Sequence, residues 1–306
     1  MDISYLEDII NKYPTVTDIH TSGDITAIQT NTGGLQILGT GKIPKGFAKQ
    51  IFLAKGIDSS FDIAGRRCRL HVSRLGQDDM YDIDVRVQPQ QMYTLEQCDV
   101  TDDIKALTKV QAGLIVVAGH TGSRKTTLLN AMIDEINSKR DGVIVTVEDP
   151  VEVVHSSKKC IVRQKEVSEK LSWLEALRDI YRENPDVVVI SETRDFDAIT
   201  AALDFALSGK LVLTTIHASS VEDTIRQFLS RAPADKLKTV ANNLADVLIA
   251  SIVHRVTLTR QFQREYMVFD TADRQYIRDY NRLPELPAAL RDKARQNKPG
   301  YRVFPS

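Results

Sequence analysis

A run of apolar residues at 114–118 leads directly into a glycine-containing loop ending in Lys-Thr, and a helical pattern begins there. This order of strand, loop and helix is the strongest constraint in the sequence. Backbone N–H groups at a helix N-terminus converge on one point, and the helix dipole adds positive potential there. The sequence therefore predicts a phosphate-binding loop formed by Gly119, His120, Thr121, Gly122, Ser123, Arg124, Lys125, Thr126 and Thr127.

We expect a specific role or conformation for three residues of this loop. Lys125 has the reach to bind the β- and γ-phosphates of a nucleotide, and the hydroxyl of Thr126 is placed to bind Mg²⁺. Arg124 stands where loops of this pattern have glycine. Because the backbone passes close to the phosphates there, we expect Arg124 to adopt a conformation that a Cβ disfavours. Its guanidinium either pairs with the phosphates or points to solvent.

Beyond residue 105, apolar runs alternate with amphipathic helical patterns. The apolar runs lie at 114–118, 143–147, 187–190 and 211–216, and the helical patterns lie at 126–136, 171–181, 198–207 and 239–253. Continuous apolar strands between helices predict a parallel sheet covered on both faces. We expect this α/β domain to reach at least residue 256 and the charged tail, 260–306, to form a small helical appendage.

The first 95 residues have a different pattern, typical of a small α+β unit. It predicts a helix at 5–12, strands at 25–29, 35–38, 67–73 and 81–87, and a turn at 76–79. Residues 88–101 contain a proline and polar residues and are interpreted as a linker. We therefore predict two domains, at 1–100 and 101–306.

Carboxylates follow two of the predicted strands. Glu148 comes directly after residues 143–147, and Glu192 follows 187–190 after one serine. Because the carboxyl ends of parallel strands face the crevice where ligands bind, both side chains are candidates for chemistry on a bound nucleotide. Such a carboxylate holds Mg²⁺ or orients the attacking water. The alternative is a pair of acidic turns that only meet solvent.

His217 ends the fourth predicted strand. A histidine at this point is a candidate sensor of the γ-phosphate or of the attacking water. A single histidine is as often a hydrogen-bonded structural residue, so chemistry alone leaves both roles open.

Composition excludes several other classes of protein. The 40 basic and 41 acidic side chains nearly balance, so no nucleic acid or acidic membrane surface is expected as a direct partner. Cys68, Cys98 and Cys160 lie far apart, which argues against a zinc ribbon and against a disulfide framework. We also expect no signal peptide and no membrane span, because no apolar run approaches 20 residues.

Four ordered motifs together resemble those of the secretion ATPase superfamily. They are the loop at 119–127, the acidic box Glu-Asp-Pro-Val-Glu at 148–152, the segment Ser-Glu-Thr-Arg-Asp at 191–195, and Ser-Gly-Lys-Leu-Val-Leu-Thr-Thr-Ile-His at 208–217. The segments at 154–160, 163–167 and 242–248 resemble the branch that retracts type IV pili. No four-cysteine insert is present, which favours that branch or the compact type IVB secretion and conjugation ATPases.

The resemblance implies a fold and a function. The expected fold class is α/β, a RecA-like P-loop ATPase domain with a smaller N-terminal α+β domain of PAS-like type. The expected function is an ATP-hydrolysing hexameric motor that binds ATP or ADP with Mg²⁺. It implies a homo-hexamer in the cytoplasm that is peripheral at the inner membrane, where a platform protein holds it. Glu148 would polarise water, Glu192 would join Thr126 in the metal shell, and His217 would act as the sensor.

The resemblance also implies roles for arginines. Arg67, Arg69 and Arg86 match family arginines that reach the nucleotide, with Arg74 a weaker match, and Arg194 matches the arginine of the segment around Glu192. Without the resemblance, these strand arginines would be interpreted as a solvated basic face.

Three positions depart from the family pattern. Arg124 and Ser191 replace glycines, and Lys210 replaces the first histidine of the segment at 208–217. We expect these changes to affect ATP turnover more than nucleotide binding. They leave open a nucleotide-binding regulatory subunit with little ATPase activity. A RecA-like DNA motor is a second alternative, against which the balanced charge argues.

Overall fold

The chain forms two compact units. The computed structural model describes residues 3–31, 33–44, 46–55, 57–75, 80–88, 92–167, 171–256, 262–296 and 298–302. The N-terminal unit comprises the chain up to Met92 together with Pro150–Val154, and the second unit comprises Tyr93–Asp149 and the chain from His155 onward. The turn expected at 76–79 and residues 89–91 of the expected linker lie outside the described residues.

The N-terminal unit is an antiparallel sheet with two helices. Its strands run in the order β3-β2-β1-β6-β5-β4. The strands are β1 Val16–Ser22, β2 Ile25–Thr30, β3 Leu35–Thr40, β4 Asp58–Ile63, β5 Arg66–Leu75 and β6 Met80–Val87, and the helices are α1 Ser4–Lys12 and α2 Phe47–Lys55. The predicted helix and the four predicted strands are confirmed. β1 and β4 were not predicted, because both are mostly polar and lack the regular alternation of apolar and polar residues that indicates a strand.

One face of this sheet is buried against α1 and α2, and the other is open. Cys68, Leu70 and Val72 of β5 join the same core as Ile9 of α1 and Ile51 of α2. Successive side chains of a strand point to opposite faces, so the odd-numbered residues of β5 lie on the open face.

The second unit has an eight-stranded sheet at its centre. Its order is β14-β13-β12-β7-β11-β10-β8-β9. The strands are β7 Gly113–Gly119, β8 Gly142–Glu148, β9 Cys160–Glu166, β10 Val187–Ile190, β11 Leu211–Ile216, β12 Leu248–Val256, β13 Phe262–Val268 and β14 Tyr301–Arg302. The strands from β12 to β9 are parallel, whereas β13 and β14 are antiparallel additions at one edge.

Helices cover both faces of the sheet, as predicted. They are α3 Asp102–Leu107, α4 Lys125–Lys139, α5 Trp173–Glu183, α6 Phe196–Leu207, α7 Val221–Ser230, α8 Leu237–Val247, α9 Arg274–Arg278 and α10 Leu286–Arg295, with a 3₁₀ helix at Tyr280–Glu285. Leu114 and Val116 of β7 pack with α5 to α8, and Ile115 and Val117 pack with α3 and α4. None of the helices in the described ranges combines the length and apolar character needed to cross a bilayer.

The prediction of one helix over 239–253 is wrong in its second half. Helix α8 ends at Val247, and β12 begins at Leu248 and pairs in parallel with β7. A short apolar run fits a buried helix and a buried strand equally well by periodicity. The open edge of β7 decided the outcome, because it supplies the hydrogen bonds that β12 needs.

The prediction of a purely helical tail also needs correction. α9, α10 and the 3₁₀ helix are present, but β13 and β14 extend the central sheet. Residues 93–101, expected to be linker, include the buried Leu95 and Val100 and pack with α3 and α4. Strand β9 and helix α7 were not predicted.

A polar clasp fastens α10 and β14 to the rest of the unit. The Lys293 ammonium donates to Asp270 at 2.9 Å, to Tyr301 at 3.1 Å and to the buried Asp273. The Tyr301 hydroxyl donates to Asp273 at 2.7 Å. Although partial burial acts to raise it, the hydrogen bonds from Lys293 lower the pKa of Asp270 to about 2. The clasp therefore holds Asp270 as a carboxylate and joins Asp273 to both Lys293 and Tyr301.

Lys293→Met should destabilise the second unit, because it leaves the Asp273 carboxylate buried without its cation. We expect a loss of about 3 kcal/mol in the free energy of unfolding, the usual cost of breaking a buried ion pair. The measurement is urea unfolding at pH 7. Lys298→Met is the matched control on an exposed lysine. Equal urea midpoints for the two variants would show that the clasp does not stabilise the unit.

Candidate nucleotide-binding site

The loop between β7 and α4 has the backbone shape of an anion site. β7 ends at Gly119 and α4 begins at Lys125. Gly122 has a φ of 76°, in the left-handed region that glycine adopts freely. A Cβ on Gly119 would lie 2.4 Å from the carbonyl oxygen of His254, so only glycine fits against β12 at this point.

Two polar groups inside the loop fit a phosphate. Lys125 is buried, and its ammonium donates to the His120 carbonyl at 3.0 Å. The Ser123 hydroxyl is buried and, among the described residues, has no hydrogen-bond partner. Buried polar groups are normally paired, so an unmatched hydroxyl in a narrow loop fits an anion that binds there. Thr126 and Thr127 are half-buried in the first turn of α4.

Arg124 adopts the strained conformation expected from its position. Its φ and ψ are 64° and 32°, in the left-handed region. A side chain in this region costs about 1–3 kcal/mol unless neighbouring groups hold the backbone in place. Arg124 lines an approximately 370 Å³ cavity beside the loop, together with Tyr93, Cys98, Thr127, His254 and Arg264.

The sheet brings both carboxylates to the same edge as the loop. β8, β10, β11 and β7 are neighbours in that order and are parallel, and Glu148 and Glu192 follow the carboxyl ends of β8 and β10. β11 lies between β7 and β10, so the loop and Glu192 are two strands apart, roughly 10 Å between strand axes. This spacing leaves a crevice between Lys125 and Glu192.

Glu148 is buried and fixed by two donors. The Thr146 hydroxyl donates to its Oε1 at 2.7 Å, and the Gln164 amide donates to the same atom at 2.9 Å. Gln164 lies on β9, which pairs with β8 and places Glu166 opposite Glu148. Burial of a carboxylate is costly unless hydrogen bonds compensate, and here they also fix its orientation.

Glu192, Arg194 and His217 form a cluster that the sequence alone did not predict. The Arg194 Nε donates to one Glu192 oxygen at 2.8 Å, and the His217 Nε2 lies 2.9 Å from the other. The Glu192 hydrogen bond raises the pKa of Arg194. A second arginine nitrogen lies 3.5 Å from Asp149. The cluster therefore joins the ends of β8, β10 and β11.

Lys210 lies far from this cluster, and its effect on turnover stays a prediction. It precedes β11, and its ammonium donates to Asn184 at 2.7 Å. Its carbonyl accepts from Gly113 at the start of β7. A six-residue strand spans about 20 Å, and Lys210 is at the opposite end of β11 from His217. Ser191 stays within the cluster, where its carbonyl accepts from Thr215.

The strand arginines of the N-terminal unit share the open face of its sheet. Arg69 on β5 lies directly opposite Arg86 on β6, and Arg67 is two residues before Arg69 on the same face. Arg86 donates to Asp18 at 2.9 Å, and Arg67 lies 3.6 Å from Asp62. Like charges directly opposite each other across two strands destabilise a sheet.

Few side chains of the described residues are placed to bind a metal ion. In the described parts of the chain, no group of three or more histidine, cysteine, aspartate or glutamate side chains has the arrangement of a metal site. Mg²⁺ is commonly held by one or two protein oxygens together with substrate phosphates. The Thr126 hydroxyl fits that mode of binding as a direct ligand, and Glu192, two strands away, would hold the ion through water.

Comparison with known proteins establishes the family. Residues 58–276 match the family described as Type II/IV secretion system protein. The chain belongs to this family. The type IV pilus retractation ATPase PilT of Pseudomonas aeruginosa is 35% identical over 227 residues, 72% of this chain and 66% of the relative. The twitching motility protein of Neisseria gonorrhoeae is 33% identical over 211 residues, 67% of this chain and 56% of the relative. These matches thus span less than two thirds of either relative.

A solved structure supports the same assignment. The pilus retraction motor PilT with bound ADP has a TM-score of 0.83 and 29% sequence identity, and the match covers 97% of this chain and 94% of that one. The expected α/β fold class, a RecA-like ATPase domain with a smaller N-terminal domain, is confirmed. The PAS-like type of the N-terminal domain stays a prediction. The resemblance to PilT-type secretion ATPases is confirmed as well.

Two histidines near the site are held neutral. Burial lowers the pKa of His155 to about 4, and its Nε2 hydrogen-bonds the Asn130 amide oxygen at 2.8 Å. Burial, followed by the adjacent Arg264 charge, lowers the pKa of His254 to about 4 as well. Neither residue was among the predicted site residues, although His155 lies in the segment 154–160 that resembles the branch that retracts type IV pili.

These pKa values predict an acid-sensitive fold. Since the folded-state pKa lies below the ordinary 6.5, the unfolded chain binds protons first as pH falls. Stability is therefore intact above pH 6.5 and is lost as pH falls from 6.5 to 4. His155→Gln should reduce that loss by about 3 kcal/mol in urea unfolding across this range. The control is the exposed His120→Gln, and an unchanged pH profile for His155→Gln would refute this account.

Proposed function

We propose that this chain is an ATP-hydrolysing motor subunit that powers retraction of a type IV pilus. The observation that carries the proposal is the meeting of the phosphate loop, Glu148 and the Glu192 cluster at one edge of a parallel sheet. The similarity to the pilus retractation ATPase PilT and to the twitching motility protein supports the choice of machine. We further propose a homo-hexamer, peripheral at the cytoplasmic side of the inner membrane, with a platform protein and no nucleic acid as partner.

The residues of the loop would bind the nucleotide phosphates. The Lys125 ammonium, which donates to His120, would exchange that carbonyl for phosphate oxygens. The N–H groups at the start of α4 would donate to the same anion. The Thr126 hydroxyl and Glu192 would hold Mg²⁺, which when bound would neutralise negative charge on the phosphates. Glu148, fixed by Thr146 and Gln164, would orient and deprotonate the attacking water.

The cluster around Glu192 would connect the phosphate site to the neighbouring strands. His217 is half-exposed and hydrogen-bonded to Glu192, so a change at the Glu192 carboxylate is transmitted to the end of β11. Arg194 is bonded to both Glu192 and Asp149 and would transmit the same change to the end of β8. We propose that this is how His217 and Arg194 report the state of the nucleotide.

Arg67, Arg69 and Arg86 would contribute positive charge to the nucleotide in the assembled ring. The register supports this role, because it places Arg69 directly opposite Arg86 and so brings two guanidinium groups together on one face of the sheet. An arginine added at a γ-phosphate accelerates phosphoryl transfer by orders of magnitude.

Lys125→Ala should weaken binding of ADP with Mg²⁺ by at least about 100-fold, because it removes the one buried ammonium of the loop and charge-assisted bonds are strong. Calorimetry measures the dissociation constant. The matched control is Lys139→Ala, which removes an exposed lysine from the other end of α4. Similar ADP affinities for both variants would show that the loop is not the nucleotide site.

Substitution of the two glutamates should affect ATP hydrolysis in different ways. Glu148→Gln should lower the rate of phosphate release by about 100-fold or more, the usual contribution of a positioned base, with an unchanged Mg²⁺ requirement. Glu192→Gln should raise the Mg²⁺ concentration needed for half-maximal rate. Glu285→Gln, at an exposed pair with Arg282, is the control.

Other outcomes of this experiment assign other roles. The reverse pattern of effects would exchange the roles of the two glutamates. Parent protein that binds ATP and releases no phosphate would instead be a nucleotide-binding regulatory subunit.

A further inference from the structure

A buried histidine supports the phosphate loop from behind. His254 on β12 lies opposite Gly119 in the parallel pairing of β12 with β7, and it is 3% exposed. Its Nδ1 hydrogen-bonds the carbonyl oxygen of Ser123 at 3.3 Å. The ring therefore holds the backbone one residue before the strained Arg124.

Arg264 determines which tautomer of His254 is present. It lies opposite His254 across β12 and β13, and its Nε donates to the His254 Nε2 at 2.9 Å. A guanidinium only donates, so Nε2 must be the unprotonated nitrogen. A carbonyl oxygen only accepts, so Nδ1 must carry the hydrogen and donate it to Ser123. The two contacts thus require the same neutral tautomer.

Arg264 is itself fixed by the segment that precedes α3. Its terminal nitrogens donate to the carbonyl oxygen of Asp99 at 2.6 Å and to that of Cys98. The guanidinium therefore has three defined acceptors and little freedom to turn. A continuous chain of hydrogen bonds runs from Cys98 and Asp99 through Arg264 and His254 to Ser123.

The carbonyl that His254 holds belongs to the same peptide plane as the Arg124 N–H. In a trans peptide these two groups point in opposite directions. Since the Ser123 oxygen points toward β12, the Arg124 N–H must point away from β12, toward the phosphate side of the loop. The hydrogen bond from His254 therefore also opposes rotation of this plane out of the left-handed conformation of Arg124.

We infer that His254 and Arg264 are positioning residues, which hold the Ser123–Arg124 peptide in the conformation that turns the Arg124 N–H toward the phosphate side of the loop. This inference rests on the nucleotide site proposed above. The pair does not contact the phosphate. It maintains a backbone conformation that a glycine at position 124 would adopt without help.

The test is a double-mutant cycle with Arg124→Gly, read as the dissociation constant for ADP with Mg²⁺. In the parent loop, His254→Ala should weaken ADP binding by about tenfold or more, because the strained peptide is released. In the Arg124→Gly background, the same change should weaken binding by no more than about twofold. A merely structural role would give the same loss in both backgrounds.

Arg264→Lys provides a second cycle if His254→Ala does not fold, because it keeps the charge and removes the planar donor group that fixes the tautomer. Arg124→Gly should also restore the ADP affinity that Arg264→Lys loses. Arg282→Lys, at an exposed ion pair, should leave ADP affinity unchanged in both backgrounds. Thermal unfolding of every variant separates loss of fold from loss of binding.

The outcomes separate this inference from the proposed function. Equal losses in the two backgrounds, or no loss in either, would overturn the positioning role while Lys125→Ala still abolishes binding. A parent protein that binds no ADP would overturn the nucleotide site and this inference together.

Discussion

The parallel pairing of β7 with β11 on one side and β12 on the other determines where this site forms. The register places Ala118 opposite Ile216 and Gly119 opposite His254, so the loop leaves the sheet where its neighbours also end. Because β11 separates β7 from β10, the loop and Glu192 face each other across the width of one strand. The crevice is a consequence of strand order, and every candidate residue of the second unit depends on it.

Charge at this edge is balanced by short contacts within the unit. Glu148 receives two neutral donors, whereas Glu192 has a guanidinium and an imidazole on separate oxygens. The two carboxylates are therefore oriented by different partners, one by a hydroxyl and an amide and the other by a guanidinium and an imidazole. The arrangement supports water activation by Glu148 and metal binding by Glu192.

The departures from the family pattern have unequal consequences. Lys210 lies at the far end of its strand and bonds Asn184, so it has no direct access to the nucleotide crevice. Arg124 lies in the loop, where it lines the cavity beside His254 and Arg264, and its backbone is strained, with a φ of 64°. Strained residues persist where their surroundings hold them, and the hydrogen bond from His254 to Ser123 provides such a restraint.

The sequence by itself determined the phosphate loop, the strand ends that carry Glu148, Glu192 and His217, and the α/β class, because each depends on residues that are neighbours along the chain. It also indicated that Arg124 would be strained. Only the tertiary structure decided that residues 248–256 form a strand, that Arg194 and His217 both contact Glu192, and that Arg264 fixes His254 behind the loop. These outcomes depend on which strands lie side by side, and hydrogen bonds between distant segments leave no periodic signal in the sequence.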